Sequence, residues 1–273
     1  MSRPKWVPAG TDTDKPNAAR VYDYYLGGSH NFAVDREMAR KAVALWPDLP
    51  MIMRANRAFL RRAVHFAAEQ GVTRFLDIGS GIPTFGAVHE VAREVAPAAR
   101  VVYVDRDPVA VAHTRQILAG NVNAGVLLAD LRAPAAILES PEVNGLLDLG
   151  EPVAVLMISV LHFVADEEDP AGITAHFRDA LAPGSMLAIA HGSRDTEGMP
   201  SDHLHSARDA YQERVAQVTL RTRREVEALF AGFRLVEPGV VWLTQWRPES
   251  PQPREATEVL TPQAGYGGVG VKR

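Results

Sequence analysis

The sequence contains no cysteine, which excludes disulfide bonds, thiolate catalysis and zinc sites built on cysteine ligands. It also lacks any uninterrupted apolar run near the ~18 residues that a membrane-spanning helix requires. Positive charge is not in excess, because 29 Lys and Arg residues face 33 Asp and Glu residues, for a formal net charge of -4. A protein that depends on nucleic-acid phosphates for affinity normally carries a positive surplus. We therefore expect a cytoplasmic monomer or homodimer with no nucleic-acid partner and no membrane association.

What is present is the balance of an ordinary globular protein, with 47% hydrophobic and 23% charged residues in a chain of 273. That length accommodates one large α/β domain and a small additional unit. Residues 1–16 are rich in Pro, Gly, Asp and Thr and are expected to form a flexible leader. Residues 17–71, which we call the N-terminal helical cap, have helical periodicity, with helices predicted over 18–26, 35–45 and 52–69.

The third of these predicted helices is amphipathic. Ile52 and Phe59 lie on its apolar face, and an arginine face carries Arg54, Arg57 and Arg61. We expect the arginine face to be solvated, with the steering of an anionic acceptor as the alternative.

From residue 72 to residue 273, short apolar strands alternate with helices, a pattern that predicts a Rossmann-like, doubly wound and mostly parallel α/β sheet. Strands are predicted over 74–78, 101–104, 125–129, 153–158, 186–190, 233–236, 240–242 and 266–271. Helices are predicted over 83–95, 108–119, 133–139, 170–181, 201–218 and 222–230, with a surface loop over 247–259. Pro83 is placed in the first turn of its helix, where a missing N–H is tolerated.

The first predicted strand runs into the turn Gly79-Ser80-Gly81 and then into a helix, so the backbone can approach a ligand closely. The alternative is a tight turn that binds nothing. A dinucleotide site needs a third glycine, but Thr84 stands at that position. Asp77 precedes the turn, and a carboxylate there repels a pyrophosphate but attracts the cationic amino-acid end of S-adenosylmethionine. Electrostatics therefore favours the sulfonium ligand.

Acids also follow the second and third predicted strands. Asp105 ends the second strand, in the position of a carboxylate that bridges both ribose hydroxyls, with a helix cap as the alternative. Asp130 ends the third strand, where it could accept a hydrogen bond from an adenine amino group or cap a helix. Because the carboxyl ends of parallel strands share one edge, we expect Asp77, Asp105 and Asp130 on one rim of the sheet.

Several stretches of the sequence resemble one family, namely residues 20–28, 31–36, 75–84, 102–108 and 160–164. They are similar to the actinobacterial S-adenosyl methyltransferase family, catalogued as a domain of unknown function, within the class I S-adenosylmethionine-dependent methyltransferases. The resemblance extends from about residue 17 to the C-terminus and implies the seven-stranded methyltransferase fold and binding of S-adenosylmethionine. It supplies no acceptor substrate. Pro83 replaces the third glycine of the general pattern, although Pro83-Thr84 is what the narrower family shows.

The predicted cofactor site comprises Tyr22, Gly28, Asn31, Asp77, Gly79, Ser80, Gly81, Asp105, Arg106, Asp130, Leu131, Ser159 and His162. Aromatic faces in the N-terminal segment can attract a sulfonium by cation–π forces. The paired glycines Gly27 and Gly28 would let that segment fold over the cofactor as a lid. The alternative is that the tyrosines only pack on the main domain.

His162 follows the fourth predicted strand and is the candidate general base, because an imidazole suits proton uptake from a hydroxyl acceptor. Asp166 or Glu167 would orient it; alternatively, His162 flanks the adenine or packs in the cleft.

Acceptor-pocket residues are expected after the fifth predicted strand, at His191, Arg194, His203, His205 and Asp209. His203 and His205 are two positions apart and would not share a helix face, so no metal site is predicted.

The expected reaction is in-line transfer of a methyl group to a small-molecule acceptor, which leaves S-adenosylhomocysteine and depends mainly on alignment. One alternative is a non-catalytic regulatory protein that binds S-adenosylmethionine or S-adenosylhomocysteine. A less favoured alternative is an NAD-dependent oxidoreductase, which Asp77 and the missing third glycine oppose.

Overall fold

The computed structural model describes residues 12–84, 86–195, 215–249 and 263–273. The helices are α1 Ala18–Tyr25, α2 Ala33–Leu45, α3 Leu49–Glu69, α4 Val88–Val95, α5 Pro108–Ile117, α6 Pro134–Leu138, α7 Pro141–Leu146, α8 Pro170–Ala180 and α9 Arg223–Ala228. The strands are β1 Arg74–Ile78, β2 Arg100–Asp105, β3 Ala124–Leu128, β4 Ala154–Ile158, β5 Met186–Gly192, β6 Phe233–Leu235, β7 Val241–Trp242 and β8 Gly265–Lys272. Most of the predicted helix over 201–218 and of the predicted loop over 247–259 lies outside the described residues. Among the helices described, none combines the length and the apolar character needed to cross a bilayer.

The strands form one sheet in the order β3-β2-β1-β4-β5-β8-β6, and the short strand β7 pairs with β8 beside this path. Strands β3, β2, β1, β4 and β5 run parallel. Strand β8 runs antiparallel to β5, β6 and β7. The predicted α/β class and mostly parallel sheet are confirmed. Within the described residues the sheet has eight strands, as many as the sequence predicts and one more than the seven-stranded fold that the resemblance implies.

Helix α3 belongs to the core of the sheet. Phe59, Ala63 and Ala67 from this helix are buried in one cluster with Phe75 of β1 and with Trp246. Phe59 lies edge-on to Trp246, with ring centroids 5.4 Å apart. The last helix of the N-terminal helical cap therefore covers one face of the sheet directly, although the predicted boundary at residue 71 would separate it from the sheet.

Helices α1 and α2 are joined by a buried ion pair. Arg20 of α1 lies 3.1 Å from Asp35 of α2, and both side chains are almost fully buried. The Asp35 carboxylate also accepts the N–H groups of Asn17 and Phe32, at 2.9 and 2.8 Å. Arg20 donates to the Lys15 carbonyl at 2.7 Å. Because a buried ion pair holds only when its remaining donors and acceptors are satisfied, these bonds fix how α1 meets α2.

Helices α2 and α3 begin at Ala33 and Leu49, two and three residues earlier than predicted. Two larger differences concern α4 and α7. Helix α4 begins at Val88, so the prediction that it starts at Pro83 is wrong. Gly86 has φ +56°, outside the right-handed helical region, and the Glu90 carboxylate accepts the Ala87 N–H at 3.2 Å and closes the helix end there. A second difference is α7, an unpredicted helix whose first turn is capped by the Ser140 hydroxyl.

The glycines of β8 let α3 approach the sheet closely. A Cβ atom on Gly267 would lie 2.7 Å from Cε2 of Phe59, so we expect Gly267→Ala to destabilise the protein by about 1–3 kcal/mol through overpacking. Urea unfolding monitored by circular dichroism measures this loss.

Gly145→Ala is the matched control, because Gly145 lies in α7 and nothing is within 4 Å of the added methyl group. Its unfolding midpoint should equal or exceed that of the wild type. Equal stabilities for Gly267→Ala and the wild type would contradict close packing of α3 on β8.

Candidate functional site

A cavity of about 290 Å³ opens at the carboxyl ends of β1, β2 and β4, beneath α1 and α3. The sheet order reverses between β1 and β4, and crevices at such a reversal are where open α/β sheets bind ligands. The predicted residues that line the cavity are Tyr22, Asp77, Gly79, Gly81, Asp105, Arg106, Asp130, Leu131, Ser159 and His162.

The glycine turn after β1 forms the floor of this cavity. Gly79 and Gly81 have φ angles of +70° and +60°, a region that side chains other than glycine rarely occupy. A Cβ atom on Gly79 would meet the Val160 side chain at 2.3 Å, whereas one on Gly81 would meet nothing closer than Ala19 at 3.8 Å. The turn is therefore held tightly at Gly79, and Gly81 exposes bare backbone to the cavity.

Asp77 and Asp105 place two buried carboxylates against the turn, with side chains 4% and 8% exposed. Burial raises the pKa of Asp77 to about 7, with opposing effects from Arg57, which lowers it, and Asp105, which raises it. Burial raises the pKa of Asp105 to about 6, although the N–H groups of Asp107 and Gly81 lower it. Deprotonated together, the two carboxylates favour a positively charged ligand.

Asp105 also fixes the turn itself. Its Oδ2 accepts the Gly81 N–H at 2.7 Å, and its Oδ1 accepts the Asp107 N–H at 2.8 Å. Asp107 in turn caps α5 by accepting the Val109 N–H at 3.1 Å. Asp107 thus caps α5, whereas the Asp105 carboxylate holds the glycine turn, and both residues line the cavity.

Asp130 lies at the more exposed end of the cavity and is held by arginines. Its carboxylate accepts two bonds from the Arg132 guanidinium at 3.1 Å and lies 3.7 Å from Arg106. Burial raises the pKa of Asp130, but the Arg132 N–H and the two guanidinium groups outweigh it, so the net shift is downward. Asp130 is thus a charged acceptor already bonded to Arg132.

A chain of hydrogen bonds crosses from β4 to α1. The Ser159 hydroxyl donates to Oδ1 of Asn56 at 2.9 Å, and the Asn56 amide donates to the Tyr22 hydroxyl at 2.9 Å. Ser159 has φ 55°, the left-handed region that is uncommon outside glycine. Asn56 was missed by the sequence analysis. The indication was available, because Asn56 is a polar residue between Ile52 and Phe59 on the apolar face of α3.

Gly28, Asn31 and Ser80 lie outside the described cavity lining. Asn31 donates to the carboxylate of Asp23 at 2.9 Å, and Thr84 donates to the same carboxylate at 3.3 Å. A Cβ atom on Gly28 would lie 2.1 Å from Asp23. The buried Asp23, which the sequence analysis did not select, therefore ties the turn after α1 to the segment that follows the glycine turn.

The Ser80 side chain turns back on its own loop. Its hydroxyl donates to the Gly81 carbonyl at 3.3 Å, and its backbone N–H donates to the Val104 carbonyl at 3.1 Å. Ser80 therefore shapes the turn without lining the cavity.

His162 lines the cavity wall after β4. Burial lowers its pKa to about 3, and His191 and Arg221 lower it further by their charge. Within the described residues its Nδ1 has no hydrogen-bond partner. Asp166 does not orient it, because this carboxylate is bound by Arg221 at 2.6 Å; Glu167 is exposed.

None of the residues predicted for the acceptor pocket after β5 is found in the cavity lining of the described structure. His191 is buried with its Nε2 2.8 Å from Arg221. Arg194 forms an exposed ion pair with Glu225 at 2.9 Å. His203, His205 and Asp209 lie outside the described residues.

The predicted arginine face of α3 is divided by the tertiary structure. Arg54 is exposed, and Arg61 forms an ion pair with Glu94 at 2.9 Å, as expected for a solvated face. Arg57 instead lines the cavity, and its charge acts on Asp77. The prediction of a solvated side chain is therefore wrong for Arg57, because the helix turns this position towards the sheet edge.

The sequence and structure of this chain are similar to those of known proteins. Residues 4–273 match a family described as S-adenosyl methyltransferase. A structure from Thermobifida fusca YX, described as a candidate methyltransferase, shares 40% identity with a TM-score of 0.91, over 99% of this chain and 100% of that chain. A DUF574 family protein from Streptomyces avermitilis MA-4680 shares 39% identity with a TM-score of 0.88, over 96% and 99%. A search among curated proteins finds no match.

The raised pKa of Asp77 makes stability depend on pH. Its folded value of about 7 lies above the ordinary 3.8, so the stability it contributes is fully present below about pH 4 and is lost as the pH rises through 7. Asn at this position cannot ionise. We therefore expect Asp77→Asn to gain stability relative to the wild type between pH 4 and 8, measured by urea unfolding at each pH. Parallel curves for the two proteins would show that Asp77 is solvated.

Proposed function

This chain belongs to the S-adenosyl methyltransferase family, and we propose that the cavity at the β1–β4 edge holds S-adenosylmethionine while a methyl group passes to a small-molecule acceptor. S-adenosylmethionine is the cofactor of this family, and its binding by the residues described above is our proposal. The observation that carries it is the pair of buried carboxylates, Asp77 and Asp105, that flank the glycine turn.

The charge of this pair fits the cofactor. S-adenosylmethionine carries a sulfonium and an ammonium group, and a buried carboxylate without a full counter-charge is stabilised by a cation brought against it. Asp77, whose pKa burial raises to about 7, is assigned to the amino-acid end. The same charges oppose a pyrophosphate, which argues against the NAD-dependent alternative.

Asp105 is assigned to the ribose. Its oxygens are anchored by the N–H groups of Gly81 and Asp107, so the carboxylate is oriented before any ligand arrives. Each oxygen of an ionised carboxylate has a second acceptor direction, and two neighbouring hydroxyls can use these. Gly81 presents backbone with no side chain, which leaves space for the ligand next to Asp105.

The adenine end is assigned to Asp130 and Leu131, which lie at the other side of the lining. The Arg132 guanidinium already donates to both oxygens of the Asp130 carboxylate. These bonds fix the orientation of the carboxylate and leave fewer lone pairs for a ligand. Leu131 supplies a buried apolar surface against which a flat base can pack.

When bound, S-adenosylmethionine supplies a methyl group activated by positively charged sulfur. The chain's own residues orient the reactants and exclude water: Tyr22 and Asn56 connect α1 and α3 above the cavity, and Ser159 joins them to β4. His162 is neutral at physiological pH because its pKa is lowered to about 3. Its predicted role as general base is disfavoured by Arg221, since the cationic imidazole would lie beside another cation.

Substitution of Asp105 tests the proposed cofactor site. We expect Asp105→Ala to weaken S-adenosylhomocysteine binding about 10- to 100-fold, through loss of charged hydrogen bonds to the ribose. Isothermal titration calorimetry gives the affinity, and circular dichroism establishes that the variant is folded.

Asp169→Ala is the matched control, because Asp169 caps α8 by accepting the Gly172 N–H and is absent from the cavity lining. It should lose about 1 kcal/mol of stability but keep its affinity for S-adenosylhomocysteine. Unchanged affinity in Asp105→Ala would refute the ribose assignment.

Asp77 predicts a proton balance for binding. At pH 6.5 this acid, with its pKa near 7, is partly protonated, and a cation beside it lowers that pKa, so S-adenosylmethionine should displace a fraction of a proton. Calorimetric titrations in two buffers of different ionisation enthalpy measure the release, which Asp77→Asn should abolish. If wild type and variant released the same number of protons, Asp77 would not be the residue that contacts the ligand's ammonium group.

A further inference from the structure

The part of the cavity wall built by the first three helices differs in chemistry from the part at the sheet edge. Carboxylates and glycine backbone line the sheet edge. Between α1, α2, α3 and the segment 215–220 the wall is apolar, with Tyr25, Ala42, Trp46, Leu49, Met53 and Leu220. We call these six residues the apolar chamber. The two parts belong to one continuous cavity.

The apolar chamber lies between two small packed clusters. Tyr25 and Ala42 belong to the cluster that joins α1 to α2, and Trp46 belongs to a second one with Ile52. Leu49 and Met53 are only partly buried and pack against both clusters. Their side chains therefore form a wall of carbon atoms facing space that the described residues leave open.

Two polar side chains that border the apolar chamber, Tyr22 and Asn56, are already bonded within the protein. The Tyr22 hydroxyl donates to the Met53 carbonyl at 3.3 Å and accepts from Asn56. The other end of the Asn56 amide is taken by Ser159. Satisfied groups of this kind give little to a charged ligand that must leave its hydration shell.

One cationic side chain, Arg57, lines the same cavity. Its charge lowers the pKa of Asp77 at the sheet edge and of Tyr22, whose hydroxyl borders the apolar chamber. Burial raises the pKa of Tyr22 and of Tyr25, so both hydroxyls are neutral at physiological pH. The apolar chamber thus presents uncharged surface to its occupant.

We propose that the apolar chamber binds the methyl acceptor, and that this acceptor is an uncharged, mainly apolar ring compound with one nucleophilic hydroxyl or amine. This inference rests on the proposed function, because the cofactor at the sheet edge determines which end of the cavity is left for the acceptor. The acceptor's nucleophile would face the junction at Ser159 and His162, where the apolar wall meets the sheet edge. The sulfur–methyl bond would break as the bond from the acceptor's oxygen or nitrogen to the methyl carbon forms. Neutral S-adenosylhomocysteine is the leaving group, and the acceptor's proton would pass to solvent water.

The test uses the full chain saturated with S-adenosylhomocysteine and three probes: 2-naphthol, 4-phenylphenol and naphthalene-2-sulfonate. The neutral phenols should bind at least about tenfold more tightly than the sulfonate, because none of the six side chains of the apolar chamber is a cation that could pair with the sulfonate's fixed charge. Fluorescence titration measures the three affinities. Equal affinities, or no binding of either phenol, would overturn the proposal.

Two charge substitutions test whether 2-naphthol binds in the apolar chamber. Met53→Glu places a carboxylate in the apolar chamber and should weaken 2-naphthol binding about tenfold or more, with affinity for S-adenosylhomocysteine retained. Leu45→Glu adds the same charge to α2 at a position that is 39% exposed and absent from the cavity lining, and should leave 2-naphthol binding unchanged. If Met53→Glu does not fold, Leu49→Asn gives the same comparison.

The proposed function and the proposed acceptor site are refuted by different results. If the wild type does not bind S-adenosylhomocysteine, the proposed function is refuted. Retained S-adenosylhomocysteine binding with 2-naphthol affinity insensitive to Met53→Glu refutes only the apolar chamber as the acceptor site.

Discussion

Desolvation of two carboxylates is the physical constraint on which the rest of this structure depends. Asp77 and Asp105 end neighbouring parallel strands and are buried, so each holds its negative charge at a cost that the pKa values of about 7 and about 6 express. The backbone of the glycine turn offsets part of that cost at Asp105. A cationic ligand offsets more of it, which links the stability of the sheet edge to occupancy of the cavity.

The N-terminal helices supply the second wall of the site at that sheet edge. Helix α3 is buried in the core by Phe59, and it also lines the cavity with Asn56 and Arg57. Helices α1 and α2 are held to one another by the Arg20–Asp35 pair. Helix α3 thus contributes both to the packing of the core and to the cavity, so a substitution in this helix can alter stability and ligand binding together.

The cavity has two chemistries because two kinds of element build it. Strand ends supply backbone and short acidic side chains, which suit a polar and cationic nucleoside, while amphipathic helices supply apolar side chains. Such a division would suit the proposed methyl transfer, in which activated sulfur and acceptor meet in line with water excluded. The hydrogen-bonded chain through Ser159, Asn56 and Tyr22 lies where the two surfaces meet.

The sequence by itself determined the alternation of strands and helices, the glycine turn and the acids Asp77, Asp105 and Asp130, since each is encoded by residues close together in the chain. Only the tertiary structure decided that Arg57 and Asn56 face the cavity, that Asn31 and Gly28 serve Asp23, and that Asp166 binds Arg221. These are contacts between distant segments. Local periodicity records which side of a helix is apolar, but the rotation of that helix against the sheet depends on how the whole core packs.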